Sequence, residues 1–194
     1  YAAGSRWDRF DFRWNAIEPT KGQFSFGPHE ELVDRNLNNG IEVVAILGST
    51  AEWASGDCSN LLQQIPMDTL PQWHPPLPQS PDDDIWWRPC LPINLHLPWN
   101  HPENYWGRYV YQTVNHFKNK VNVWEIWNEP DLQSFWVSSP ADYARLLQVG
   151  YQAVKAADPE ATVLFGGLAY WADPNFYKQT LREIQTLEGA VENN

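Results

Sequence analysis

The chain has 194 residues, 43% hydrophobic and 19% charged, which supplies a real core and excludes a disordered polymer. Its net charge of -11 disfavours nucleic acid and anionic membranes, which attract an excess of Lys and Arg. No apolar run approaches the roughly 18 residues of a membrane span, and no obligate protein partner is evident.

The first strand is read from about Arg6 to Trp14, where Trp7, Phe10 and Phe12 are interleaved with charged residues. A turn follows at Glu18-Pro19-Thr20-Lys21-Gly22. A helix then starts near Pro28, with Leu32, Val33 and Leu37 on one face and Gly40 as its stop. The second strand, Ile41 to Leu47, is a continuous apolar run, as expected of a parallel strand buried on both faces.

Residues 49–102 show no periodicity and hold ten of the sixteen prolines. A segment this long inside a domain is functional or disordered. Its embedded Trp53, Trp73, Trp86, Trp87 and Trp99 speak against plain disorder. The two cysteines, Cys58 and Cys90, both fall here. They could staple the segment in an oxidising compartment or stay free in a reducing one, and sequence leaves that open.

The second helix runs from about Glu103 to Lys120, with Trp106, Tyr109, Val110, Thr113, Val114 and Phe117 at helical spacing. The third strand is Val121 to Asn128. Ser139-Pro140-Ala141-Asp142 caps a third helix, whose inner face carries Tyr143, Leu146, Leu147, Tyr151 and Val154 and which ends at Asp158-Pro159. The fourth strand is Ala161 to Leu168. The last helix opens at Asp173-Pro174 and carries Phe176, Tyr177, Leu181, Ile184 and Leu187.

Repeated strand–helix units predict an α/β fold with a parallel sheet. Gly166-Gly167 is not a Gly-x-Gly-x-x-Gly loop, so a dinucleotide fold is disfavoured. The expectation is a partial (β/α)₈ TIM barrel of about four βα units, whose functional residues sit at strand C-terminal ends. A whole barrel needs about 250 residues, so the chain reads as a fragment of a catalytic domain, with 49–102 as a loop insertion. It begins with Tyr1 and shows no signal peptide. That does not argue for the cytoplasm; location is left open, with extracellular favoured.

The stretch Val123 to Asp131 ends a strand in Asn128-Glu129-Pro130, putting a carboxylate where the apolar pattern stops. Strand alternation sends Val123, Glu125, Trp127 and Glu129 one way and Trp124, Ile126 and Asn128 the other, until the strand end twists Asn128 and Glu129 toward the mouth. Glycoside hydrolysis needs two carboxyl groups around the scissile bond, one of them a proton donor. Glu129 is the candidate donor, with a pKa raised by apolar walls or a neighbouring carboxylate. Asn128 is placed to bond a sugar hydroxyl. Twelve Trp are either core or the stacking walls of a sugar cleft. Trp14, Trp53 and Trp171 follow strand ends and are candidates for that cleft. If Glu125 points inward, it needs an arginine partner, Arg9 or Arg13. The five His lack metal-ligand spacing, so no metal or cofactor is expected, and Asp82-Asp83-Asp84 reads as a solvated loop or a calcium site.

Trp124-Glu125-Ile126-Trp127-Asn128-Glu129-Pro130 resembles the fourth-strand signature of clan A glycoside hydrolases, the retaining (β/α)₈ enzymes that include families 5 and 39. Trp7 to Trp14, followed by Ile17-Glu18-Pro19 and Gly22-Gln23-Phe24, resembles their second strand, and the next strand with Trp53-Ala54 resembles the one after it. The resemblance implies that the four strands are the second to fifth of the barrel. It implies Glu129 as acid/base, Asn128 as binder of the sugar 2-hydroxyl, and Arg9 as the arginine that orients the nucleophile. The nucleophile itself would be a Glu on the seventh strand, outside this chain. The expected activity is retaining hydrolysis of O-glycosyl bonds in a β-linked glycan or glycoside, with carbohydrate as the only partner. The fragment alone is expected to be inactive. A non-catalytic carbohydrate-binding or degenerate barrel is the alternative.

Overall fold

Strand β1 (Trp7–Arg13) runs into a single helical turn, α1 (Trp14–Ile17), and then helix α2 (Gly27–Asn38). Strand β2 (Glu42–Gly48) follows, then a short 3₁₀ turn (Glu52–Ala54), helix α3 (Tyr105–Phe117), β3 (Val123–Asn128), α4 (Pro140–Ala157), β4 (Thr162–Gly167) and α5 (Phe176–Glu192). This is a computed structural model, and it describes residues 4–56 and 88–192. The four strands form one parallel sheet in the order β1-β2-β3-β4. Such an arc with intervening helices is the α/β architecture expected of part of a (β/α)₈ barrel.

The sheet has an outer face under the helices and an inner, concave one. Asp8, Phe10 and Phe12 of β1 point outward. Asp8 accepts a hydrogen bond from Asn36 of α2 at 2.9 Å, and Phe12 meets Phe117 of α3 edge-on at 5.0 Å. The parallel register then puts Val43, Ala45 and Leu47 of β2 and Trp124 and Ile126 of β3 outward too. They form one buried layer with Val33, Trp106, Tyr109, Val110, Leu146, Val149 and Ala153. Arg9, Asp11, Arg13, Val44, Ile46, Glu125 and Leu164 line the inner face.

Helix ends follow their sequence signals. The Asn104 side chain caps α3 by accepting from Gly107 N at 3.0 Å, which starts the helix two residues after the expected Glu103. Ser139 and Asp142 form a reciprocal capping box on α4. Strand β1 ends one residue early because Trp14 already belongs to α1.

The long segment after β2 is described at residues 49–56 and again from residue 88 onward. There Arg145 of α4 donates to the carbonyls of Leu95, His96 and Leu97, replacing a sheet or helix ladder for this stretch. Cys90 is fully buried and is not a free thiol. Cys58, Trp73, His74, Trp86, Trp87 and the Asp82–Asp84 run lie outside the described residues.

Gly166 of β4 sits against the backbone of β3. A Cβ there would lie 2.8 Å from the Ile126 carbonyl oxygen, 2.9 Å from that of Trp127 and 2.9 Å from the Tyr143 hydroxyl. The Tyr143 hydroxyl fills the remaining gap, accepting from Gly166 N and donating to Ile126 O. We predict that Gly166→Ala destabilises the fold by about 1–3 kcal/mol through overpacking. Urea unfolding should show a lower midpoint; an unchanged midpoint would mean that the two strands part freely here.

Candidate active site

The alternation of β3 breaks at its last residues. Trp127 has φ of 71° and Glu129 has φ of 43°, both in the left-handed region that non-glycine residues rarely occupy. The break turns Trp127 outward alongside Ile126, where alternation alone would have paired it with Glu125. Its ring packs on Trp136 at 5.2 Å and Trp106 at 6.1 Å, and its Nε1 donates to Phe135 O at 2.7 Å. A fully buried indole with its one donor satisfied is what holds the strained backbone. Asn128 therefore returns to the inner face together with Glu125.

Four polar groups meet on that face. Arg9 Nε donates to Glu125 Oε2 at 2.7 Å, and its Nη2 donates to Glu125 Oε1 at 2.7 Å and to Asn128 Oδ1 at 2.8 Å. Glu125 Oε1 also accepts from Gly167 N at 2.6 Å. Of the two arginines considered for Glu125, the partner is Arg9. The carboxylate is nearly sealed, at 5% side-chain exposure, so the bidentate fork and the third donor offset its desolvation. With Asn128 Oδ1 held by Arg9, the amide nitrogen of Asn128 is its remaining side-chain donor.

Glu129 follows directly. Its N–H donates to Gly167 O at 2.8 Å, fixing the residue to the end of β4. Among the described residues, none hydrogen-bonds its carboxyl group. Burial raises the Glu129 pKa, the nearby Asp131 raises it further, and Arg9 opposes both. Sequence reasoning gave Asp131 no role. It is buried, and it accepts from Ala169 N at 3.1 Å and Tyr170 N at 2.7 Å.

The three candidate tryptophans separate. Trp14 is fully buried: it stacks on Tyr109 at 5.1 Å and donates Nε1 to Glu18 Oε2 at 2.8 Å. It leaves no ring face for a sugar, and the expectation that it lines a cleft is corrected. Trp53 is half-buried, edge-on to Trp14 at 5.6 Å and Tyr105 at 5.3 Å, with its Nε1 on Glu18 O at 2.9 Å. It braces the end of β2. Trp171 is 61% exposed beyond β4, beside Tyr170 at 61%. Glu18, expected only in a turn, is a hub instead. Its buried carboxylate accepts from Trp14 Nε1, Gly22 N and Arg108. A Glu before Pro carries no sequence signal of that burial.

Among the described residues, no group of three or more His, Cys, Asp or Glu could hold a metal ion, and no helix is long and apolar enough to cross a membrane.

No family model matches the chain. Residues of this chain are 34% identical over 80 positions to a β-xylosidase of Geobacillus stearothermophilus, a match covering 35% of this chain and 16% of that protein. The chain thus spans a small part of the curated relative it matches. In structure it is similar to a family 39 glycoside hydrolase from Bacteroides cellulosilyticus WH2, with a TM-score of 0.52 and 24% identity over 85% of this chain and 26% of that one. It is likewise similar to an endoglucanase from Thermotoga maritima, with a TM-score of 0.54 and 16% identity over 92% of this chain and 45% of that one. The resemblance to clan A barrel glycosidases read from the β1 and β3 motifs is supported by these matches, and the fold likeness runs along most of the chain.

Two predictions follow from the geometry. Arg9→Ala leaves Glu125 buried without its fork and should destabilise by about 2–4 kcal/mol, with Arg9→Lys restoring only part because one ammonium cannot make three bonds in a plane. Equal chemical denaturation of Arg9→Ala and the parent would contradict the pairing. Glu129 titrates with a folded-state pKa above the ordinary 4.5. Its protonated form is the one that folding favours, so that contribution is present at low pH and lost as pH rises through the raised value. Glu129→Gln, permanently neutral, should therefore leave the melting temperature unchanged near pH 4 and raise it by about 1–3 °C at pH 7. A drop at pH 7 would contradict the burial.

Proposed function

We propose that this chain carries the acid/base half of a retaining glycosidase that hydrolyses O-glycosyl bonds in a β-linked glycan or glycoside. The observation that carries the reading is Glu129, a carboxyl group of raised pKa at the mouth end of β3, beside the Arg9–Glu125–Asn128 network. The β-xylosidase likeness makes a β-xyloside the first substrate to test.

Each residue has a role that its surroundings support. Glu129 in its protonated form gives a proton to the departing glycosidic oxygen, and its raised pKa keeps that proton available nearer neutrality. In the second step the same carboxylate takes a proton from water, which then attacks the anomeric carbon of the glycosyl-enzyme. Asn128, oriented by Arg9, donates from its amide nitrogen to the hydroxyl next to the reacting carbon. Arg9, neutralised by Glu125, holds the Asn128 amide in place. The mechanism also needs a second carboxylate as nucleophile, about 5–5.5 Å from the first in a retaining enzyme. Glu125 is a poor candidate, since both of its oxygens are engaged. We place the nucleophile on a further strand of the same barrel.

Glu129→Gln in the full-length protein should lower turnover of unactivated xylo-oligosaccharides by about 10²–10⁴-fold. It should spare the first-turnover release of 2,4-dinitrophenol from 2,4-dinitrophenyl β-xyloside far more, since that leaving group departs without a proton, while later turnovers slow because no base remains to activate water. Equal loss of this first, glycosylating step on both substrates would remove Glu129 from the donor role. Tight sugar binding without turnover by the parent protein would point instead to a non-catalytic carbohydrate-binding barrel.

A further inference from the structure

Beyond β4 the chain does something costly. Tyr170 adopts φ of 63°, and it and Trp171 stand 61% exposed side by side at the end of the sheet that carries Glu129. A positive-φ residue just beyond a strand end, followed at once by a second large aromatic residue, calls for something that holds the corner in place.

That support is Asp131. It lies two residues after Glu129, is 6% exposed, and its two oxygens accept the successive amides of the corner, Oδ1 from Ala169 and Oδ2 from Tyr170. Consecutive backbone N–H groups converging on one carboxylate form an anion-binding concavity, here filled from within the chain. The same loop thus supplies both the Glu129 carboxyl and the anchor of the aromatic corner. Glu129 N bonded to Gly167 O closes the link from the other side.

We propose that Asp131 is a positioning residue that seats the Tyr170–Trp171 corner as a stacking platform for a neutral sugar ring next to Glu129. This rests on the glycosidase reading for its ligand class but not for its geometry. A neutral sugar suits the platform because flat ring faces meet C–H faces without a charge to satisfy. The charged groups acting on Glu129 are Asp131 from its own loop and Arg9 from β1, with Glu125 neutralising Arg9.

The test compares Asp131→Asn, Trp171→Ala and the double variant in the full-length protein, with xylotriose as the probe. Asn is isosteric but keeps only one acceptor oxygen and no charge. Amide exchange by NMR should speed up by about tenfold or more at Ala169 or Tyr170. Xylotriose binding should weaken by about fivefold in each single variant. The double variant should lose little more than either. The Glu129 carboxyl, followed by ¹³C NMR, should titrate at lower pH in Asp131→Asn, because the variant removes the negative charge beside it. Unchanged exchange at both amides, an unmoved Glu129 titration, or fully additive losses in the double variant would overturn the proposal. So would unchanged xylotriose affinity in Trp171→Ala, a variant on an exposed ring that keeps the fold. Exchange, titration and binding are read without turnover. A protein that passes all three but cleaves nothing would sink the glycosidase reading and leave this one standing.

Discussion

The site depends on one buried carboxylate. Glu125 lies on β3, and its oxygens take two hydrogen bonds from Arg9 of β1, which reaches across β2, and one from Gly167 N of the neighbouring β4. A carboxylate so sealed would be strongly destabilising alone and is tolerable only with its donors in place. That requirement fixes the three strands relative to one another. It also fixes Asn128, whose amide oxygen takes the remaining reach of Arg9. The polar network on the inner face is therefore the scaffold on which the Glu129 carboxyl is presented.

Strain is concentrated on the same rim. Ser49, Trp127, Glu129 and Tyr170 all have positive φ, and all lie at or just beyond the C-terminal ends of strands. Such conformations cost about 1–3 kcal/mol each and persist only where the surroundings hold them. Each has an identifiable restraint. The Ser49 hydroxyl accepts from Arg88 N, the Trp127 indole is locked to Phe135 O, Glu129 N is bonded to Gly167 O, and Tyr170 N is held by Asp131. Ahead of the strands, Asn119 before β3, Gly40 before β2 and Gly4 before β1 also take positive φ, so what distinguishes this rim is that Trp127 and Glu129 adopt it at the site itself.

The four strand–helix units were legible in the sequence because their signals are local. Apolar runs, caps and stop residues each act within a few positions, and the observed elements differ from the expected ones by up to three residues at their ends. Glu125 pairing with an arginine was legible as well, because a buried charge must be compensated. The direction of Trp127 was not. Alternation assumes regular strand backbone, and a single positive φ reverses it without leaving any trace in residue type. Trp14 misleads for a related reason: a tryptophan at a strand end reads the same whether it faces the mouth or begins a helical turn into the core. Asp131 and Glu18 both act through backbone amides distant in sequence, and no pattern in the chain encodes which amides those are.

The central claim is that Glu129 donates and then accepts the proton while a different carboxylate bears the glycosyl group. Azide rescue tests it most directly. Glu129→Ala in the full-length protein, given 2,4-dinitrophenyl β-xyloside, should form the glycosyl-enzyme and stall, since no base remains to activate water. Added azide needs no base, so it should accelerate turnover and yield a β-xylosyl azide of retained configuration. No acceleration by azide, or an α-configured azide product, would contradict the assignment of Glu129 as acid/base.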